Sequence, residues 1–110
     1  MITDSIPMDQ LSIERYWDLS TCHITKKDDE LLKESPTATL DPLIVHFYGE
    51  GCWLFVPLDL ELYETRSAII EYGYSLALLD ILLYAMIFGV TFIRLDCDAT
   101  IVESLTKFEW

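Results

Sequence analysis

The stretch LIVHFYGEGCWLFVPL, residues 43–58, sets the architecture of this 110-residue chain. Apolar runs over 43–48 and 52–58 flank Gly49-Glu50-Gly51. A short turn with glycines able to take positive φ, set between two strand-forming runs, predicts a β-hairpin. Both arms are apolar at nearly every position instead of alternating, which implies that something covers each face of the hairpin.

Outward from the hairpin toward the C-terminus, Leu60 to Phe88 carries a helical pattern. Glu61, Glu64 and Glu71 fall on one side at spacings of three and seven, with Leu62, Ala68, Ile69 and Tyr72 away from that stripe. Gly73 and Ser75 break the pattern, and Ser75 caps a second helix over roughly 75–88. Asp80 is the only charged residue of that segment, which also carries Leu76, Ala77, Tyr84 and Ile87. Such a helix is either buried all round or offers an apolar surface to another chain. Gly89 ends it, Val90 to Leu95 reads as a strand, and 96–100 reads as a turn. From Ile101 onward the chain is a short final strand or an extended tail.

Toward the N-terminus, YWDLSTCHIT at 16–25 predicts a first strand containing Trp17, Leu19, Cys22 and Ile24. Thr25, with Asp28 three residues on, forms a near capping box for a helix through Glu34, which Ser35-Pro36 stops. Residues 1–14 lack clear periodicity and read as an arm that orders only on docking. The sum is an α+β domain: a small mixed or antiparallel sheet made of the first strand, the hairpin and two C-terminal strands, with helices packed on one side.

Length alone predicts one domain over 1–110. An apolar fraction of 52% excludes wholesale disorder, yet 19 acids against 7 bases leave a formal net charge of −12. Such a charge repels nucleic acid and anionic membrane and favours a basic protein partner. It also serves plain solubility. Cys22, Cys52 and Cys97 are odd in number and show no C-x-x-C spacing, so a disulfide framework and a zinc ribbon are both disfavoured. With no basic-then-apolar leader at Met1, the expected location is the cytoplasm. The uninterrupted apolar part of 76–93 is shorter than the roughly 20 residues of a membrane span.

The candidate chemical groups are sparse. Cys22 and His23 are adjacent, and adjacent side chains of a strand point to opposite faces, so they do not form a nucleophile and its base. His46 and Cys52 lie on facing arms of the hairpin, but no third group nearby orients the imidazole. Asp96 and Asp98 flank Cys97. They form either a turn whose carboxylates bond downstream amides or part of a cation site, and the latter needs further acids such as Asp18 or Glu50. Trp17 and Trp53 read as core residues. Trp110, the last residue quoted, either packs back on the core or anchors a partner.

Three stretches resemble a small bacterial family of unknown function. They are LSTCHIT at 19–25, YGEGCWLFVP at 48–57, and GVTFIRLDCDATIVESLTKFEW at 89–110. The matching features are an L-S-T-x-H-like start, a Y-x-x-G-W-like hairpin and a terminal Leu-x-x-(Phe/Tyr)-acid-Trp, here Leu105 to Trp110. Two departures stand out: Cys52 separates Gly51 from Trp53, and the segment 75–88 is more apolar than the family pattern. The resemblance implies a gene of plasmids and prophages, near antirestriction and type IV toxin–antitoxin genes. It also implies that the terminal Trp is a family feature, and it supplies no catalytic residues.

The expectation is an acidic, non-enzymatic binding protein of a mobile element, with neither cofactor nor metal. It would inhibit a nucleic-acid-handling bacterial defence protein, such as a restriction or CRISPR complex, by polyanion mimicry. Glu61, Glu64 and Glu71 are the first candidate contacts, then Asp28, Asp29 and Glu30. The alternative is an accessory or regulatory protein of a toxin–antitoxin module. That reading acts through the apolar 76–87 face with Tyr84 and through Trp110, and includes a homodimer through that helix. A metal-dependent enzyme built on Asp96 and Asp98 is the third reading.

Overall fold

The computed structural model describes residues 13–110, so most of the arm expected over 1–14 lies outside the described residues. Tyr16–Ser20 forms β1. The predicted first strand stops there, short of Ile24, because the Ser20 hydroxyl accepts the Cys22 N–H and turns Thr21–His23 into a 3-10 turn. α1, Lys26–Glu34, begins with the expected reciprocal cap: Thr25 Oγ1 accepts from the Asp28 N–H, and the Asp28 carboxylate accepts from the Thr25 N–H, each at 3.0 Å. A 3-10 turn over Ser35–Thr37, with Pro36 inside it, follows.

The hairpin forms as predicted from β2, Val45–Tyr48, and β3, Gly51–Phe55. Tyr48 pairs with Gly51, leaving Gly49 and Glu50 as the turn. Positive φ is not the reason for these glycines, since among the described residues it occurs only at Gly73 and Gly89. Gly51 is needed for close approach instead: a methyl group there would collide with the backbone carbonyl of Leu95 on the neighbouring strand.

The predicted helix pair is α2, Tyr63–Tyr72, and α3, Leu76–Ile87. α2 starts later than Leu60, which is fully buried in the connection before it. Gly73, at φ 124°, ends α2 while the Tyr74 N–H reaches back to the Ile69 carbonyl. Gly89, at φ 70°, ends α3 in the same manner, with the Val90 N–H bonded to the Ala85 carbonyl at 2.8 Å. β4 is Phe92–Asp96.

The sheet runs β1-β4-β3-β2, with β1 parallel to β4 and the other pairs antiparallel. The architecture is α+β: among the described residues, an open, mixed, four-stranded sheet with three α-helices. Only one strand follows α3 among the described residues, not the two expected. The chain beyond it is an extended tail, stitched to the segment where β1 ends. The Ser20 N–H donates to the Thr100 carbonyl, the Phe108 N–H to the Cys22 carbonyl, and the Trp110 indole N–H to the Ile24 carbonyl. His23, fully buried, contacts the Thr106 carbonyl through Nδ1 and accepts the Val102 N–H at Nε2. Because Nε2 accepts, Nδ1 carries the proton and donates.

One sheet face joins the core through Leu19, Val45, Cys52, Leu54, Ile93 and Leu95. Leu32 of α1, Ile69 of α2, and Leu78, Ile81, Leu82 and Ala85 of α3 complete the same cluster. Each fully buried aliphatic side chain contributes about 1.5–3 kcal/mol relative to exposure.

Asp28 ties the start of α1 to the start of α3. Its carboxylate, fully buried, accepts the Thr25 N–H at the start of α1 and also the N–H and hydroxyl of Ser75 at the start of α3. Ser75 Oγ in turn accepts the Leu78 N–H at 3.1 Å. Asp28→Ala leaves these donors without an acceptor and should destabilise the fold by roughly 3 kcal/mol in urea unfolding, against roughly 1 kcal/mol for an exposed cap. A loss below that of an ordinary cap would show that the carboxylate does not join the two helices.

Candidate functional site

The face of the sheet turned away from the helices is built from alternate residues of all four strands. Register places Tyr16, Phe92 and Phe55 in one row, then Asp18, Arg94, Trp53 and His46, then Ser20, Asp96, Gly51 and Tyr48. The first two rows bring five rings together edge to face. Ring centroids lie 5.1 Å apart for Tyr16 and Trp53, 6.4 Å for Trp53 and Phe92, 4.7 Å for Phe55 and Phe92, and 5.5 Å for His46 and Phe55. With Glu14 they line an open recess of about 450 Å³. Edge-to-face contacts of this kind fix ring orientation and add about 0.5–1.5 kcal/mol per pair.

Polar bonds run within the second and third rows. Tyr48 donates its phenol proton to Asp96 at 2.6 Å, and Arg94 Nε donates to Asp18 at 2.8 Å while its guanidinium lies 5.9 Å from the Tyr48 ring centre. The Tyr48 hydrogen bond, seconded by the Asp98 N–H, holds the Asp96 carboxyl below its usual range. Burial, followed by the bond to Asp96, pushes the Tyr48 phenol up to about 12.

The aspartate pair forms the expected turn. Asp96 is buried and accepts the Asp98 N–H at 2.8 Å, the downstream-amide bond expected of such a turn. Ligand atoms of Asp96, Cys97 and Asp98 lie within 4.8 Å of one another, but the Asp96 carboxylate is already engaged and Asp18 faces Arg94. The Cys97 thiol is pushed up, first by the Asp98 carboxylate, which disfavours a thiolate. Burial pushes the Cys52 thiol up to about 12. His46 pairs with Trp53 and Cys52 with Phe47, so His46 and Cys52 point to opposite sheet faces and do not meet. His23 has both ring nitrogens engaged by the tail.

The expected partner contacts divide. Glu61, Glu64 and Glu71 are exposed; Glu64 and Glu71 share one face of α2 with Ala68, while Glu61 precedes the helix. Glu30 is exposed, and Asp29 is paired with Lys33 at 2.8 Å. Asp28 is not a contact residue, because its carboxylate is buried against two helix starts. Tyr84 is exposed and stacks on Phe88, and with Leu76 and Ile87 it leaves a face of α3 open to solvent that is apolar apart from the exposed Asp80. Trp110 is held to the fold by its indole N–H, which donates to the Ile24 carbonyl, and 53% of the residue stays exposed.

Sequence reasoning placed Trp53 in the core, whereas it stands on the outer face with Tyr16, Phe55 and Phe92. The signal was present in the non-alternating arms of the hairpin. Such arms imply cover on both sides, yet only strand residues and Glu14 line the recess among the described residues.

Residues 16–110 match the DUF5983 C-terminal domain, a family of unknown function. The chain belongs to that family. No curated protein and no solved structure matches it. All three stretches that carried the sequence resemblance fall inside the matched region.

The Tyr48–Asp96 bond makes a pH-dependent contribution. With the folded pKa of Asp96 lowered from 3.8, its stabilisation is present above that value and is lost as pH falls through the lower folded one. Tyr48→Phe should therefore be less stable than the parent at neutral pH, with the gap closing in acid. Urea unfolding across that range checks this, and a gap that does not change with pH would contradict it.

Proposed function

We propose that this chain is a non-enzymatic binding protein that engages a basic protein surface of a nucleic-acid-handling complex. The observation that carries the reading is the disposition of charge. The formal net charge is −12, and the few bases are largely committed. Arg15 and Arg66 donate to backbone carbonyls, and Lys33, Arg94 and Lys107 pair with Asp29, Asp18 and Glu103. Glu61, Glu64 and Glu71 are left as exposed carboxylates with no basic partner among the described residues. Carboxylates on a rigid surface substitute for phosphates against Lys and Arg, and the field they create accelerates encounter with a cationic partner.

The genomic neighbourhood implied by the resemblance supports a cytoplasmic role on a mobile element, with a restriction or CRISPR complex as target. No helix among the described residues is long and apolar enough to cross a membrane. The exposed Leu76, Tyr84, Ile87 and Phe88, interrupted only by Asp80, favour a second reading, an accessory of a toxin–antitoxin module that docks or dimerises through α3.

Affinity capture from the bacterial host at low and high salt separates the two. Charge mimicry predicts a partner lost as salt rises and lost from a Glu61→Lys, Glu64→Lys, Glu71→Lys variant. A partner retained by that variant at high salt, and lost on Tyr84→Ala with Ile87→Ala, would replace mimicry with the apolar interface.

A further inference from the structure

The outer aromatic recess is independent of the acidic stripe on α2, and its chemistry is specific enough to name an occupant. We propose that it receives an arginine side chain from a basic segment of a partner protein, the guanidinium lying against the Tyr16, Trp53 and Phe92 rings with Glu14 as its counter-charge. This rests on the reading of a basic protein partner and adds where and how one of its residues is held.

Three features argue for that occupant. The recess is walled by aromatic rings whose edge-to-face packing fixes them before any ligand arrives, so little ordering cost remains at binding. Its charged lining group is a carboxylate, Glu14, whose Oε2 accepts the Thr91 hydroxyl proton at 2.7 Å and is thereby held beside the rings. A cation over aromatic faces next to a carboxylate is favoured twice, and guanidinium suits both contacts because it stacks flat and bonds carboxylates through paired N–H groups.

The same face already holds one guanidinium in this manner. Arg94 lies over the Tyr48 ring while Asp18 takes its Nε proton. Nucleobases also stack on aromatic sheet faces, but with Asp18 neutralised by Arg94 the face still carries Glu14 and Asp96, and these and a net charge of −12 oppose the phosphates that come with them. His46 lies at the edge of the recess beside Phe55, on the far side of Trp53 from Arg94.

The test is an NMR titration of the full chain, following the tryptophan indole N–H signals. The probes are an acetylated, amidated Gly-Arg-Gly-Arg-Gly peptide, the same peptide with citrulline for arginine, and a short oligothymidine. The arginine peptide should shift the Trp53 indole, and the citrulline peptide should not. Trp53→Ala should weaken the arginine peptide about tenfold and Glu14→Gln several-fold, the range of a partly desolvated cation–π contact. Trp53→Phe should retain most of the affinity and guards against a folding defect in the alanine variant.

Equal binding of the citrulline peptide would overturn the proposal, as would an oligothymidine that shifts Trp53 more than the peptide does. So would peptide-free self-association that Trp53→Ala abolishes, since a second copy would then be the occupant. Binding lost only in the Glu61→Lys, Glu64→Lys, Glu71→Lys variant would overturn the recess while leaving the basic-partner reading intact. Binding lost only with Trp53 would do the reverse for the stripe.

Discussion

A single buried carboxylate joins two of the three α-helices among the described residues. Asp28 sits where the N-termini of α1 and α3 converge, and it accepts protons from the Thr25 backbone and from the backbone and hydroxyl of Ser75. A buried ion without such partners costs several kcal/mol, so the three donors are a condition of its presence. Each helix also directs the positive end of its dipole at the carboxylate. The geometry therefore fixes α1 against α3, and α3 supplies Leu78, Ile81, Leu82 and Ala85 to the inner face of the sheet. With the apolar layer completed on that side, the opposite face is left to its own side chains.

The capping box at Thr25, the Ser75 cap, the glycine that ends α3 and the hairpin were all legible because each depends on residues close in sequence. The tail was not. His23 reads locally as a strand residue beside Cys22, and only the fold brings Val102 and Thr106 to its two ring nitrogens. Asp28 shows the same limit: its bond to Thr25 is readable at a spacing of three, but the bond to Ser75 spans 47 residues and moves it from an acidic surface cluster into the interior.

The outer sheet face was hidden for a different reason. Composition records that the strands are aromatic, and alternation normally tells which rings face the core, but the hairpin arms carry apolar residues on both parities. Register resolves the ambiguity, placing Leu54 inside and both Trp53 and Phe55 outside. The acidic stripe of α2 was readable from helical spacing, with the start of the helix shifted past Glu61.

On the proposed reading, two kinds of surface would meet a cationic partner: spread carboxylates that act at a distance, and a fixed aromatic recess that acts on contact. The most direct measurement is a hydrogen-exchange footprint of the chain bound to the partner captured from its host. The account predicts protection over 61–71 and over β3 and β4, with α3 unchanged. Protection confined to 76–88 would contradict it and assign binding to the apolar helix.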